Sequence, residues 1–266
     1  MVAYGQRLKK DPVWALEEGG KFFSDKSDVN TALVRITKHL DELAIPYAVV
    51  GGMALFQYGY RRFTEDVDLL VTSEGLRAIH SSLEGKGYLP KFAGSRNLRD
   101  TESGVSIKFL VTGEYPGDRK EKPIKFPEPD GAATFVGSIR CLNLAALIEL
   151  KLASGITSPG RLKDLADIQQ LIQVLRLPSS YADQLDEYVK AKFKELVGTD
   201  TPARRFIRLW PGDVQHENLE TDLQVMLADG VALEVSPDPN EPSWLVTQDP
   251  TIAQKYDMHD EIEFMK

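Results

Sequence analysis

Two aspartates, Asp66 and Asp68, stand at the head of an otherwise apolar run that continues to Val71. In an extended chain, residues i and i+2 face the same way. Both carboxylates therefore share one face, at the edge of a core. A buried pair of like charges is costly unless donors or a cation satisfy it. The pattern leaves two readings. Either the aspartates face solvent from an edge strand, or they gather around a divalent cation such as Mg2+ or Mn2+. Upstream, the β-branched segment 47–50 runs straight into Gly51-Gly52 and then into a short helix over 53–58. A helix that starts after a glycine pair offers free N–H groups and lets a phosphate approach the backbone. The same pair also serves plain tight packing. Thirteen residues separate Gly52 from Asp66, enough for a short helix and a return loop. Glycines and carboxylates can thus meet at one end of a sheet. Arg62 and Thr64 precede the pair, and a guanidinium such as Arg62 suits a phosphate oxygen.

Around this centre the periodicity is mixed. Apolar positions Val29, Leu33, Ile36, Leu40 and Leu43 step by three and four, one face of a helix. Residues 47–50, 67–71, 105–111 and 134–142 read as strands. Residues 76–83, 144–154, 162–174 and 182–197 read as helices, and 113–131 as a long loop carrying four prolines. This order predicts an α/β (α+β) chain: a small mixed sheet with flanking helices, then a helical bundle and a small C-terminal appendage. The expected boundaries are a partly ordered arm over 1–27 with Gly19-Gly20 as a break, a core over 28–142, a helical domain over 143–198 and a subdomain over 199–266. Charge marks the last boundary. Residues 199–266 hold 5 Lys and Arg against 14 Asp and Glu, so the chain's net charge of −8 resides there. Within that part, residues 219–228 look helical, and residues 236–242 are rich in Pro and Asp. Arg204, Arg205 and Arg208 interleave with Phe206 and Trp210, a pattern for nucleic-acid contact or for docking the tail.

No apolar run approaches the ~18–20 residues of a membrane span, and the N-terminal residues lack the apolar core of a signal peptide. A cytoplasmic protein with no membrane partner is expected. The lone Cys141 excludes an internal disulfide and a cysteine-built zinc site. The four histidines suggest no metal cluster.

Val50-Gly51-Gly52 followed by Arg62-Phe63-Thr64-Glu65-Asp66-Val67-Asp68 resembles the signature of the polymerase-β-type nucleotidyltransferase superfamily. Within it the pattern is most similar to the AbiEii/AbiGii-type toxin nucleotidyltransferases. Downstream, Leu147-Ile148-Glu149-Leu150-Lys151 and Arg161-Leu162-Lys163-Asp164-Leu165-Ala166-Asp167 resemble that family's Lys…Asp-x-x-Asp motif. The resemblance covers residues 29–196. It implies Mg2+-dependent transfer of a nucleoside monophosphate from an NTP to an acceptor: an RNA such as a tRNA end, by a toxin with a separately encoded antitoxin protein as partner, or alternatively a small molecule or a protein hydroxyl, between which the sequence does not choose. Asp66 and Asp68 would hold the metal, Gly51 and Gly52 would cradle the triphosphate, and Lys151 would contact it. Arg62, Thr64 and Asp164 would belong to the nucleotide site, and Asp164 or Asp167 would position Lys151 or the acceptor. The residues alone also fit a solvated helix with a Lys163–Asp167 pair.

One position departs from the resemblance. The superfamily places a third carboxylate on the next core strand, where this chain has Lys108. Three consequences are open: one metal with another base, a lysine that itself holds phosphate, or a degenerate site that binds nucleotide or a protein partner. Glu102, Glu114 and Asp118 are nearby in sequence as substitutes. The loop from Gly113 reads either as the wall of an acceptor channel or as a solvated charged loop.

Overall fold

The computed structural model describes residues 3–199, 206–209, 228, 231–234, 244–247 and 249–260. The chain divides into two compact units, Met1–Gly198 and Thr199–Lys266.

The first unit opens on α1 (Tyr4–Lys10) and α2 (Pro12–Phe23). A partly ordered arm over residues 1–27, broken at Gly19-Gly20, was expected here. The structure instead gives two helices, with no break at the glycines, and the reasons are local. Asp11 caps α2 by accepting from the Trp14 N–H, and Pro12 fits its first turn. Gly19 and Gly20 lie inside α2, each costing about 1 kcal/mol against alanine. That cost is outweighed by the burial of Phe22, which is 0 % exposed and meets Phe56 and Phe63 edge-on with centroids 5.2 and 5.0 Å away. Glu18 ties the pair of helices to α3 (Asp28–Glu42). Its carboxylate accepts from the Tyr4 hydroxyl at 3.2 Å and from the Asp28 N–H at 2.6 Å. A Ser27–Asn30 capping box starts α3, and Val29, Leu33, Ile36 and Leu40 form its buried face.

The sheet follows: β1 (Tyr47–Val50), α4 (Gly51–Gln57), β2 (Asp66–Val71), α5 (Ser73–Leu83), β3 (Tyr88–Pro90), β4 (Leu98–Asp100) and β5 (Ser106–Val111). Next come α6 (Pro129–Ala132), β6 (Ala133–Val136) and β7 (Ile139–Leu142). The seven strands lie in the order β3-β4-β5-β2-β1-β7-β6. The sheet is mixed: β2 runs antiparallel to β1 and parallel to β5. Its register sets Val50 and Lys108 on either side of Asp68. Three expectations change here. The single strand expected over 134–142 is a hairpin turned at Gly137, whose φ is +63°. The three-residue strands β3 and β4 extend the β5 edge. The C-terminal end of the long loop winds into α6.

Three helices complete this unit: α7 (Leu144–Thr157), α8 (Leu162–Leu175) and α9 (Glu187–Thr199). The helix expected from residue 182 starts instead at Glu187, after a 3-10 turn at Ser179–Gln184. Gly155 lets α7 and α8 cross closely, because a Cβ there would collide with Leu165.

In the second unit, β8 (Phe206–Leu209), β9 (Ala232–Glu234), β10 (Trp244–Thr247) and β11 (His259–Asp260) form an antiparallel sheet in the order β11-β8-β10-β9. With α10 (Pro250–Lys255), it surrounds a small core of Val231, Leu245, Ala253 and Met258. Arg204, Arg205, Trp210, residues 236–242 and all but Ala228 of the stretch 219–228 lie outside the described residues. Among the described residues no helix is long and apolar enough to cross a membrane.

Phe22→Ala should lower unfolding stability by about 3–5 kcal/mol, read from urea denaturation. A change below about 1 kcal/mol would mean that α1 and α2 are not part of the core.

Candidate functional site

The β1–α4 turn is built on two close approaches. Gly51 has φ +64°, and a Cβ on it would collide with the Asp68 carboxylate. A Cβ on Gly52 would sit 2.8 Å from the Thr64 Cβ. The glycine pair therefore seats the head of β2 directly against the helix start. Thr64 is buried and donates its hydroxyl to Asp66 at 3.2 Å.

Asp66 and Asp68 share one face, as strand geometry requires. Lys108, opposite Asp68 on β5, reaches across to Asp66, and its ammonium bonds to Oδ2. Burial alone would lower the Lys108 pKa. The hydrogen bond to Asp66 and the charges of Asp66 and Asp68 overcome that and raise it, so this ammonium stays charged. Asp68 differs from Asp66. It has no hydrogen-bond donor among the described residues. Burial first, and the Asp66 charge second, push its carboxyl up to about 6, against the pull of Lys108, Lys151 and Arg62.

A second charged cluster faces this pair. The Lys151 ammonium, from α7, donates to Asp164 at 2.8 Å and to Asp167 at 2.7 Å, both on α8. The Ser154 hydroxyl donates to the second oxygen of Asp164 at 2.7 Å. Burial alone would raise the Asp164 carboxyl, but Lys151 and Ser154 hold it below the usual carboxylate range. Asp167, 2 % exposed, also receives Arg62, with Nε 2.7 Å and the terminal nitrogen 2.9 Å from its two oxygens.

The two clusters border one cavity of about 540 Å3. Nine of the ten residues singled out in the sequence line it: Gly51, Gly52, Arg62, Thr64, Asp66, Asp68, Lys108, Lys151 and Asp164. Asp167, expected among the catalytic residues, does not line it. It is buried behind the wall, where it holds Arg62 and Lys151 rather than pairing with Lys163. Of the three substitute carboxylates, Glu102 pairs with Arg35 and Asp118 with Lys122, away from the pair. Glu114 reaches the cavity wall but is held by both terminal nitrogens of Arg96, at 2.7 and 3.0 Å. Ser154 and Arg96 are wall residues that no sequence pattern marked. Ser154 is placed by the α7–α8 crossing, and Arg96 lies in the bend before β4, where Glu114 holds its guanidinium. Residues 114–117 and Arg119 of the long loop also line the cavity.

The donor set fits a divalent cation of one kind. Among the described residues no group of three or more His, Cys, Asp and Glu is placed to hold a metal. Two carboxylates, one of them unpartnered and poorly compensated, suit a hard cation that completes its shell with water or other oxygen ligands. They do not suit a resident structural metal.

No family model matches the chain, and no curated protein matches it. Solved structures resemble it at low identity. A crystal structure of ANT(2'')-Ia in complex with adenylyl-2''-tobramycin is 17 % identical with TM-score 0.42, covering 62 % of this chain and 96 % of that one. A solution structure of the antibiotic-resistance factor ANT(2'')-Ia is 16 % identical with TM-score 0.39, covering 64 % and 90 %. An antigenic nucleotidyltransferase-like protein from Paracoccidioides brasiliensis is 16 % identical with TM-score 0.36, covering 54 % and 74 %.

A carboxyl whose pKa is raised by folding stabilises the folded state below its unfolded value and loses that contribution as pH climbs past the folded value. Asp68→Asn should therefore stabilise the protein at pH 7.5 by about 1–3 kcal/mol, with the gain shrinking between pH 6 and pH 4. Urea unfolding across that range checks it. A gain that is absent, or constant with pH, would contradict the placement of Asp68.

Proposed function

We propose that the cavity is a nucleotidyl-transfer site, in which an acceptor hydroxyl attacks the α-phosphorus of an NTP, its proton passing to water, and the bond to the leaving pyrophosphate breaks. The observation that supports this most is the pairing of opposites across one cavity: Asp66 and Asp68 on the sheet, and Lys151 on α7 held by Asp164 and Asp167. A triphosphate needs both. Its oxygens need fixed positive charge, and its approach to a carboxylate pair needs a bridging cation. Asp66 and Asp68 are the residues that would hold Mg2+ or Mn2+. When bound, that cation supplies charge neutralisation on the phosphates.

The chain's own residues do the rest. Lys151 is 8 % exposed and pinned at two carboxylates, so its ammonium is oriented before substrate arrives. Negative charge that gathers on the leaving pyrophosphate then meets a cation that need not reorganise. Thr64 fixes one oxygen of Asp66. Gly51 and Gly52 keep the floor free of side chains. Asp167 is a positioning residue, setting Lys151 and Arg62 from behind.

The proposed acceptor is the end of an RNA, with a tRNA end as first candidate. Arg119, Arg161 and Lys163 support this: they add positive charge to the cavity wall, and neither Arg119 nor Lys163 has an ion-pair partner among the described residues. A toxin role opposed by a protein antitoxin belongs to the same reading. The Lys108–Asp66 pair favours a second one, in which the site binds NTP without transferring it.

Incubation with each α-labelled NTP, Mg2+ and total tRNA separates the two. Label should appear on RNA and fall at least ~100-fold in Asp66→Asn and in Lys151→Met. Label on small hydroxyl compounds or on protein would move the acceptor. NTP-dependent thermal stabilisation with no label on any acceptor would favour the binding module.

A further inference from the structure

Lys108 stands where a cation should. Its strand position is fixed, opposite Asp68 in a parallel pair, and its side chain is 45 % exposed. The ammonium is thus open to the cavity while its base is fixed in the sheet. At rest it occupies Asp66 Oδ2, and the Thr64 hydroxyl occupies Asp66 Oδ1. Each oxygen of Asp66 thus already accepts a hydrogen bond, and the ammonium brings a positive charge that a cation would have to face. Asp68 faces the cavity without a donor, but a lone carboxylate is a weak site for a divalent cation. Lys151 and Arg62 also act on Asp68, though the Asp66 charge acts on it more strongly in the opposite sense.

We infer that Lys108 is a built-in competitor for the metal site, and that a triphosphate releases it. The inference rests on the nucleotidyl-transfer reading. Without nucleotide, a divalent cation must displace a unit positive charge from Asp66, so it binds weakly. A triphosphate brings several negative oxygens into the same cavity and gives the ammonium a new partner. Asp66 is then open to the cation. Metal and nucleotide thus bind as a mutually dependent pair, and by linkage each raises the other's affinity by the same factor. Lys108 becomes a triphosphate contact in the loaded state, so a lysine there is compatible with activity.

The account makes two opposed predictions for one residue, neither read from activity. Mn2+ alone, titrated into the full chain and followed by electron paramagnetic resonance, should bind Lys108→Met at least ~10-fold more tightly than the natural protein. Inorganic tripolyphosphate in EDTA, followed by calorimetry, should bind Lys108→Met at least ~5-fold more weakly. Lys108→Arg keeps the charge and should behave as the natural protein in the Mn2+ titration. Lys108→Gln repeats both measurements should Lys108→Met fail to fold. Equal Mn2+ affinity with and without the lysine would overturn the competition, and unchanged tripolyphosphate affinity would overturn the transfer. Both would leave the nucleotidyl-transfer reading standing if any of the four NTPs binds together with Mn2+. If none does, that reading falls, and this inference with it.

Discussion

Asp167 is the point on which the site depends. One aspartate, 2 % exposed, holds Arg62 from the loop before β2 and Lys151 from the middle of α7. A carboxylate in that position would be strongly disfavoured alone, and either cation would be too. Together they compensate, and the geometry that lets them do so fixes the wall of the cavity. The α7–α8 crossing at Gly155 brings the Lys151 side of α7 against Asp164 and Asp167. The Arg62 pair then ties α8 to the chain that leads into the carboxylate strand. The interaction is better understood as register than as adhesion, since a buried ion pair contributes little net stability but penalises every arrangement that breaks it.

Against that pinned half, the sheet half of the cavity is poorly compensated. Asp66 is shared between a hydroxyl and an ammonium, while Asp68 has neither. A protein built only to be stable would gain by replacing Asp68 with a neutral residue. Half-buried, unpartnered charge near the head of a strand is the kind of local cost that functional sites carry and the rest of the fold offsets. Lys108 eases this cost without removing it. It neutralises one carboxylate and leaves the other exposed to whatever cation the cavity admits.

Much of this was legible from local pattern. The strands around Asp66 and Tyr47 and the helix face from Val29 follow directly from periods of two and of three to four. The glycine pair and the aspartate pair stand out from local pattern, whereas Lys151 with Asp164 stands out only through the family resemblance. What local pattern could not supply was partnership. Arg62 looked like a phosphate ligand, yet its guanidinium is committed to a carboxylate 105 residues away. The N-terminal helices were missed because two glycines weigh against a helix in propensity, while the burial of Phe22 is a tertiary effect. The strands β3 and β4 are too short to show alternation and exist through pairing to β5. The hairpin at Gly137 hid inside one apolar stretch, because a turn glycine and a strand glycine look alike until the register is known.

The most direct test of the account is a crystal of the full chain grown with Mn2+ and an NTP analogue that cannot be cleaved at its α-phosphorus. An anomalous peak bridging Asp66 and Asp68, with triphosphate oxygens at Lys151 and at a Lys108 ammonium that has left Asp66, is the predicted result. Nucleotide bound elsewhere, or a cation peak away from the aspartate pair, would contradict it.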